Sequence, residues 1–228
     1  MNKFTSVLIA IFLLAQSIVT MAANQREDIH VSADQVQPLL SGMKAPAFTV
    51  RDVEGGVFEF TGKGMDKPVV LTFFRGGWCP YCNLHLSEMR LAEKQLEEMG
   101  FNIWFISIDK PELLLESLAD PDIGYTIYSD SSLDATRAFG LAFQVDDELN
   151  KRYLSYNIDL EKASGETHHV LPAPATYIIG MDGTINFAYI NPDYKVRLHP
   201  DVLLAAAKAY NEDADKRLDR KRKQAMKK

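Results

Sequence analysis

Cys79 and Cys82 stand three residues apart in the segment Trp78-Cys79-Pro80-Tyr81-Cys82, and the chain has no other cysteine. Closing so short a loop removes little chain entropy, so a structural staple is a poor reason for the spacing. Reversible redox chemistry is the stronger one. The segment follows an apolar strand-like run and opens a helix-like one. At a helix N-terminus, unpaired amides and the macrodipole favour a thiolate, which lowers a thiol from about 8.5 by one to several pH units. Arg75 adds to this if its side chain turns toward the sulfurs; otherwise it is a surface arginine beside Gly76-Gly77. Such a thiolate attacks a sulfur or a peroxide oxygen. The second cysteine then closes a Cys79-Cys82 disulfide, which an external dithiol donor must reduce. No organic cofactor is implied. A second chemistry draws on the same residues: Cys79, Cys82, His85 and the pair His168-His169 form a soft donor set for copper or zinc. Against it, His85 falls on a helix flank, and His168 and His169 read equally well as a solvated loop. A non-enzymatic interaction module would leave the cysteine spacing unexplained.

The surrounding pattern supplies the elements that must hold the pair. Val69 to Phe74 is a continuous apolar run rich in branched and aromatic residues, as expected of a central strand buried on both faces. From Pro80 to Met99, Cys82, Leu86, Met89, Ala92, Leu96 and Met99 recur at three- and four-residue steps, and Gly100 stops the run. Phe101 to Ile108 is a second apolar strand, so the three elements make a right-handed parallel strand-helix-strand unit. Upstream, Phe48–Val50 and Val57–Phe60 flank the Gly55-Gly56 turn as a hairpin. Pro111–Leu118 and Leu133–Phe139 predict helices with a short strand, Thr126–Tyr128, between them, while Val145–Asn157 is ambiguous. Ala175–Ile179 and Ile185–Tyr189 flank Asp182-Gly183 as a second hairpin, and a closing helix runs from Pro200 to Ala209.

Trp-Cys-Pro-Tyr-Cys resembles the active site of thioredoxin-like proteins. The wider segment from Phe73 to Leu86, with Arg-Gly-Gly ahead of the motif, resembles the peroxiredoxin-like branch of that superfamily, the alkyl hydroperoxide reductase and thiol-specific antioxidant type. Ala45-Pro46-Ala47-Phe48 is similar to the peroxiredoxin entry segment, and Pro174-Ala175-Thr176-Tyr177 to the strand after the thioredoxin cis-proline. The resemblance spans about Lys44 to Ala209. It implies an α/β, thioredoxin-like fold: a central mixed sheet flanked by helices, with a peroxiredoxin-type N-terminal hairpin. It also implies Cys79 and Cys82 as catalytic residues, supported by Arg75, Trp78 and a cis-Pro174 against a docking substrate. The substrate is then a peroxide or a protein disulfide. One departure leaves the order of attack open. Typical peroxiredoxins carry a threonine three residues before the peroxide-reactive cysteine and a proline four residues earlier still, where this chain has Cys79 and Arg75. That alignment makes Cys82 peroxidatic; aligned as a thioredoxin, Cys79 is the exposed nucleophile and Cys82 the buried resolver.

The ends suggest an exported chain. Lys3, the apolar stretch Val7 to Ala15 and small residues around Ala22 and Ala23 read as a secretory signal peptide over residues 1–22. The longer stretch from Val7 to Val19 holds Gln16 and Ser17 and falls short of the roughly 20 residues of a span, so no permanent membrane anchor is expected and the mature chain is expected in the periplasm. A polar arm, 23–43, carries a short helix candidate with Ser32 as its cap before Val36, Leu39 and Leu40. Residues 44–209 form the one domain, and 210–228 a charged tail crowded with lysine and arginine, read as a solvated terminus. With a net charge of -6, nucleic acid is not an expected partner.

Overall fold

The computed structural model describes residues 25–117 and 125–226. The expected signal peptide, residues 1–22, and Leu118, the last residue of one expected helix, lie outside the described residues. The elements are β1 (Phe48–Arg51), β2 (Val57–Phe60), β3 (Val69–Phe74), α1 (Pro80–Glu98), β4 (Asn102–Ser107), α2 (Pro111–Ser117), β5 (Thr126–Ser129), α3 (Asp134–Ala138), β6 (Ala142–Gln144), α4 (Asp147–Ser155), α5 (Leu160–Ser164), β7 (Val170–Pro172), β8 (Ala175–Ile179), β9 (Ile185–Ile190) and α6 (Pro200–Ala225). Seven strands form a mixed sheet in the order β2-β1-β5-β4-β3-β8-β9, and β6 pairs with β7 beside it. The β3-β4 and β4-β5 pairs are parallel, as a crossover helix requires; the two hairpins are antiparallel.

β3 lies inside the sheet between β4 and β8 and is buried along its whole length. Its alternating side chains feed two cores. Val69, Leu71 and Phe73 join Phe48, Phe60, Phe139 and Tyr177 on one face. Val70 and Phe74 join Met89, Ala92 and Leu96 of α1 and Leu203 and Ala207 of α6 on the other. Both cysteines belong to this second core.

Two expectations are corrected and one ambiguity is resolved. The arm is not helical at 32–40: its backbone is spent elsewhere, His30 bridging Phe143 and the Leu39 amide donating to the Phe139 carbonyl, so it packs as an irregular strap. The ambiguous stretch 145–157 contains α4, started by Asp146, whose carboxylate accepts the Leu149 amide at 2.7 Å. The closing helix does not stop near Ala209 but runs on into the charged tail.

Candidate active site

The site is built where β3 ends and α1 begins. Cys79 is the residue capping α1, in extended conformation and with no side-chain capping bond, and Pro80 takes the first helical position, where its missing amide costs nothing. The Cys79 carbonyl accepts the Cys82 and Asn83 amides, each at 3.0 Å, so Cys82 lies one turn further in. Both cysteines are free thiols and each is only 1% exposed. The expectation of an exposed Cys79 is therefore overturned: both cysteines belong to a buried core cluster against which Trp78, Tyr189 and Tyr194 pack.

The two sulfurs are inequivalent. A hydrogen bond from Cys82 pulls the Cys79 thiol down to about 6 against the cost of burial, with the charges of Arg75 and Arg197 adding to the effect. Burial pushes the Cys82 thiol far up, and donating to Cys79 holds its proton in place. Arg197 Nη2 stands 3.1 Å from Cys82 Sγ. Its charge favours a Cys82 thiolate, but burial and the Cys79 bond outweigh it while Cys79 carries the negative charge.

Arg75 is not a surface residue. It is 3% exposed; its guanidinium donates to the Tyr153 hydroxyl and lies 4.0 Å from the Tyr194 ring centre, with Trp78 and Tyr153 at 5.2 and 5.4 Å. Trp78 is fixed by Asp109, which accepts the indole N–H at 3.1 Å and the Gly77 amide at 2.7 Å. Burial raises the Asp109 carboxyl to about 6 despite these bonds. Gly76 has to be glycine, because a Cβ there would lie 2.3 Å from the indole nitrogen and 2.7 Å from Asp109 Oδ1.

Pro174 stands at the head of β8 on the wall of the cavity that Arg75 and Tyr194 also line, but no cis peptide bond occurs among the described residues, so the cis expectation is corrected. The X-Pro bond keeps its ordinary trans form, with the Pro174 carbonyl accepting the Asn191 amide at 3.2 Å. His85 is not on an open flank: it is 3% exposed, its Nε2–H donates to the Leu198 carbonyl at 3.1 Å, and burial lowers it to about 4. His168 and His169 bond to Ser131 and Glu161 respectively. Among the described residues no group of three or more His, Cys, Asp or Glu side chains is arranged to hold a metal.

Sequence reasoning missed Arg197, Asp109, Tyr153 and Tyr194. Asp109 carried a usable signal, since it follows a parallel strand at its carboxyl end, where open α/β sheets gather their sites. Arg197 and Tyr194 carried none, lying in an irregular segment more than a hundred residues from the cysteines.

A dithiol at the mouth of a helix that leaves the central parallel strand of a mixed sheet defines the thioredoxin-fold thiol oxidoreductases. Within that class, residues 41–188 match the AhpC/TSA family, and the chain belongs to it: a peroxiredoxin-like protein with thiol-dependent peroxidase or oxidoreductase activity. The chain is 24% identical over 172 residues to peroxiredoxin Bcp of Escherichia coli K12, an alignment covering 74% of this chain and 96% of that one. It is 29% identical over 105 residues to the thiol-disulfide oxidoreductase ResA of Halalkalibacterium halodurans, covering 44% and 57%. Among solved structures, reduced Prx3 from Vibrio vulnificus superposes with a TM-score of 0.58 at 17% identity, covering 74% of this chain and 99% of that one. The thiol peroxidase from Chromobacterium violaceum does so with 0.59 at 12%, covering 80% and 97%.

Proposed function

We propose that this protein reduces small peroxides through a Cys79-Cys82 dithiol-disulfide cycle, outside the cytoplasm. The observation that carries the reading is the stacking of two buried, inequivalent sulfurs with Arg197 against the deeper one. A two-oxygen peroxide reaches a buried thiolate far more easily than a protein disulfide does, because the latter must bring its own backbone up to the sulfur. The Cys79 thiolate attacks the peroxide: an S–O bond forms, the O–O bond breaks, and the departing oxygen leaves as water or alcohol once protonated. Cys79 is then a sulfenic acid and no longer holds the Cys82 proton. Cys82 gives up that proton, its growing charge stabilised by Arg197, and attacks the Cys79 sulfur. The disulfide forms and water leaves. An external dithiol donor restores both thiols, becoming a disulfide itself. Export rests on the signal-like residues 1–22 and suits a disulfide that an oxidising compartment tolerates.

The second reading is a thiol-disulfide reductase. The motif spacing and the low Cys79 thiol favour it, as does the similarity to ResA. Peroxide consumption with a small dithiol, run on the wild type, Cys79→Ser and Cys82→Ser beside a disulfide-reduction assay, separates the two. The peroxidase expects turnover in the wild type only, with sulfenic acid accumulating in Cys82→Ser. Sulfenic acid in Cys79→Ser instead would move the attack to Cys82. Brisk disulfide reduction without peroxide turnover would replace the proposal by the reductase.

A further inference from the structure

Arg75 is a buried cation without a buried anion fixed to it. Its side chain is 3% exposed, and among the described residues its guanidinium bonds to the neutral Tyr153 hydroxyl while its buried Nε–H has no partner. Three aromatic faces lie around the guanidinium, and among the described residues no carboxylate is in ion-pair contact with it. Burying a charge without a partner is costly, so a site that keeps one is built to receive an opposite charge. One such charge is the Cys79 thiolate, which Arg75 helps to stabilise. That charge vanishes when the disulfide forms.

A cavity of about 230 Å³ is lined by Arg75 together with Tyr153 and Tyr194, which touch the guanidinium. Its wall is mostly apolar, with Val31, Ala33, Phe143, Leu149, Pro174 and Tyr194. The acid on the wall, Asp146, is engaged by the Leu149 amide at the head of α4. Inorganic anions would leave such a wall uncovered, and a neutral apolar molecule would leave the buried guanidinium without a counter-charge.

We propose that this cavity is a binding subsite for a small organic carboxylate with an apolar body, filled chiefly in the disulfide state of the protein. The inference rests on the dithiol-disulfide cycle proposed above. The thiolate and the carboxylate draw on the same guanidinium and repel one another, so occupancy follows the oxidation state. By linkage the ligand must shift the redox equilibrium in return: a carboxylate that binds the disulfide form about tenfold more tightly lowers the reduction potential by about 30 mV at saturation.

Butyrate is a suitable probe, with butyramide as its uncharged twin. Calorimetric titration of the full chain in its disulfide and dithiol states is expected to show butyrate about tenfold tighter in the disulfide state, butyramide not binding, and butyrate binding lost in Arg75→Gln. Tyr153→Phe, which frees a guanidinium N–H, is expected to bind at least as tightly as the wild type. In redox titration, saturating butyrate should lower the wild-type potential and leave that of Arg75→Gln unmoved. Equal binding of butyrate and butyramide, equal affinity in the two redox states, or unchanged binding in a folded Arg75→Gln would each overturn the proposal. If Arg75→Gln does not fold, the butyrate-butyramide comparison on the wild type still decides it. Turnover reads the same preference: butyrate competing with the dithiol donor is the expected result, because both meet the disulfide form. Competition with the peroxide alone would overturn the preference for that form. A chain that never forms the disulfide would sink the catalytic cycle, and with it the redox-linked subsite, whereas failure of butyrate to bind a disulfide that does form sinks the subsite alone.

Discussion

Cys79 and Cys82 differ by one turn of helix and by who holds the proton. Thiolate absorbance or alkylation of the reduced protein should titrate with a midpoint near pH 6, and Cys82→Ala should move that midpoint up toward about 8.5, since the bond from Cys82 is the largest cause of the lowering. A midpoint unmoved by Cys82→Ala would show that the arginines, not the partner thiol, set it. The same shift bears on stability. A thiol held below its unfolded value of 9.0 contributes stability that is full above pH 9 and is lost as pH falls through about 6. Asp109 and Asp130, raised to about 6 and 7, act with the opposite sign below pH 7. Between pH 7 and 9, then, the reduced protein should gain in Tm with rising pH relative to the oxidised one. Parallel slopes for the two forms would contradict the assignment. Arg197 has its own signature. Arg197→Met should prolong the sulfenic acid about tenfold or more by slowing Cys82, a charge-assisted bond being worth roughly 1.5–3 kcal/mol, while the first step with peroxide slows less. Stopped-flow trapping of the sulfenic acid reads both steps. The equal readiness of Cys79 and Cys82 to be the attacker, as far as their spacing went, reflects that a thiol's acidity is set by charges and burial from other parts of the chain.

The elements differ in how plainly local pattern announced them. β3, α1 and β4 were legible because an unbroken apolar run and a helical stripe each satisfy their own burial, and both hairpins carry their turn residues. α4 was not, because Tyr153 is its one buried residue and its only other apolar residues, Leu149 and Leu154, make no buried stripe with it. Yet α4 brings Tyr153 to Arg75, so its start matters to the site. Asp146→Ala should cost about 1 kcal/mol through loss of the cap, measured by denaturant unfolding, and no loss at all would mean the helix is held by packing alone. The loop between β3 and α1 is held more rigidly. Gly76→Ala forces apart Trp78 and Asp109, so the near-UV circular dichroism of Trp78 and the peroxide turnover should fall together. A variant with both intact would show that the loop relaxes around the methyl group.

At the scale of the whole molecule, the sheet divides the chain into two cores and sets the cysteines in the one closed by α1 and α6. The proposed export makes a simple demand: the protein fractionates beyond the inner membrane with its N-terminus beginning after Ala22 or Ala23. An intact Met1 in that fraction would count against cleavage. The two hairpins, the parallel crossover and the place of the cysteine pair were legible in the sequence, because each depends on residues close together in the chain, where periodicity and turn chemistry act; the order of strands, which pairs β1 with β5 and β3 with β8, was not. Nor was what surrounds the pair. Arg75 in its aromatic cage, Arg197 on Cys82 and His85 sealed against Leu198 were decided by tertiary packing. Each depends on which side chain arrives from a distant segment to satisfy a buried polar group, and that arrival leaves no periodic mark on either segment.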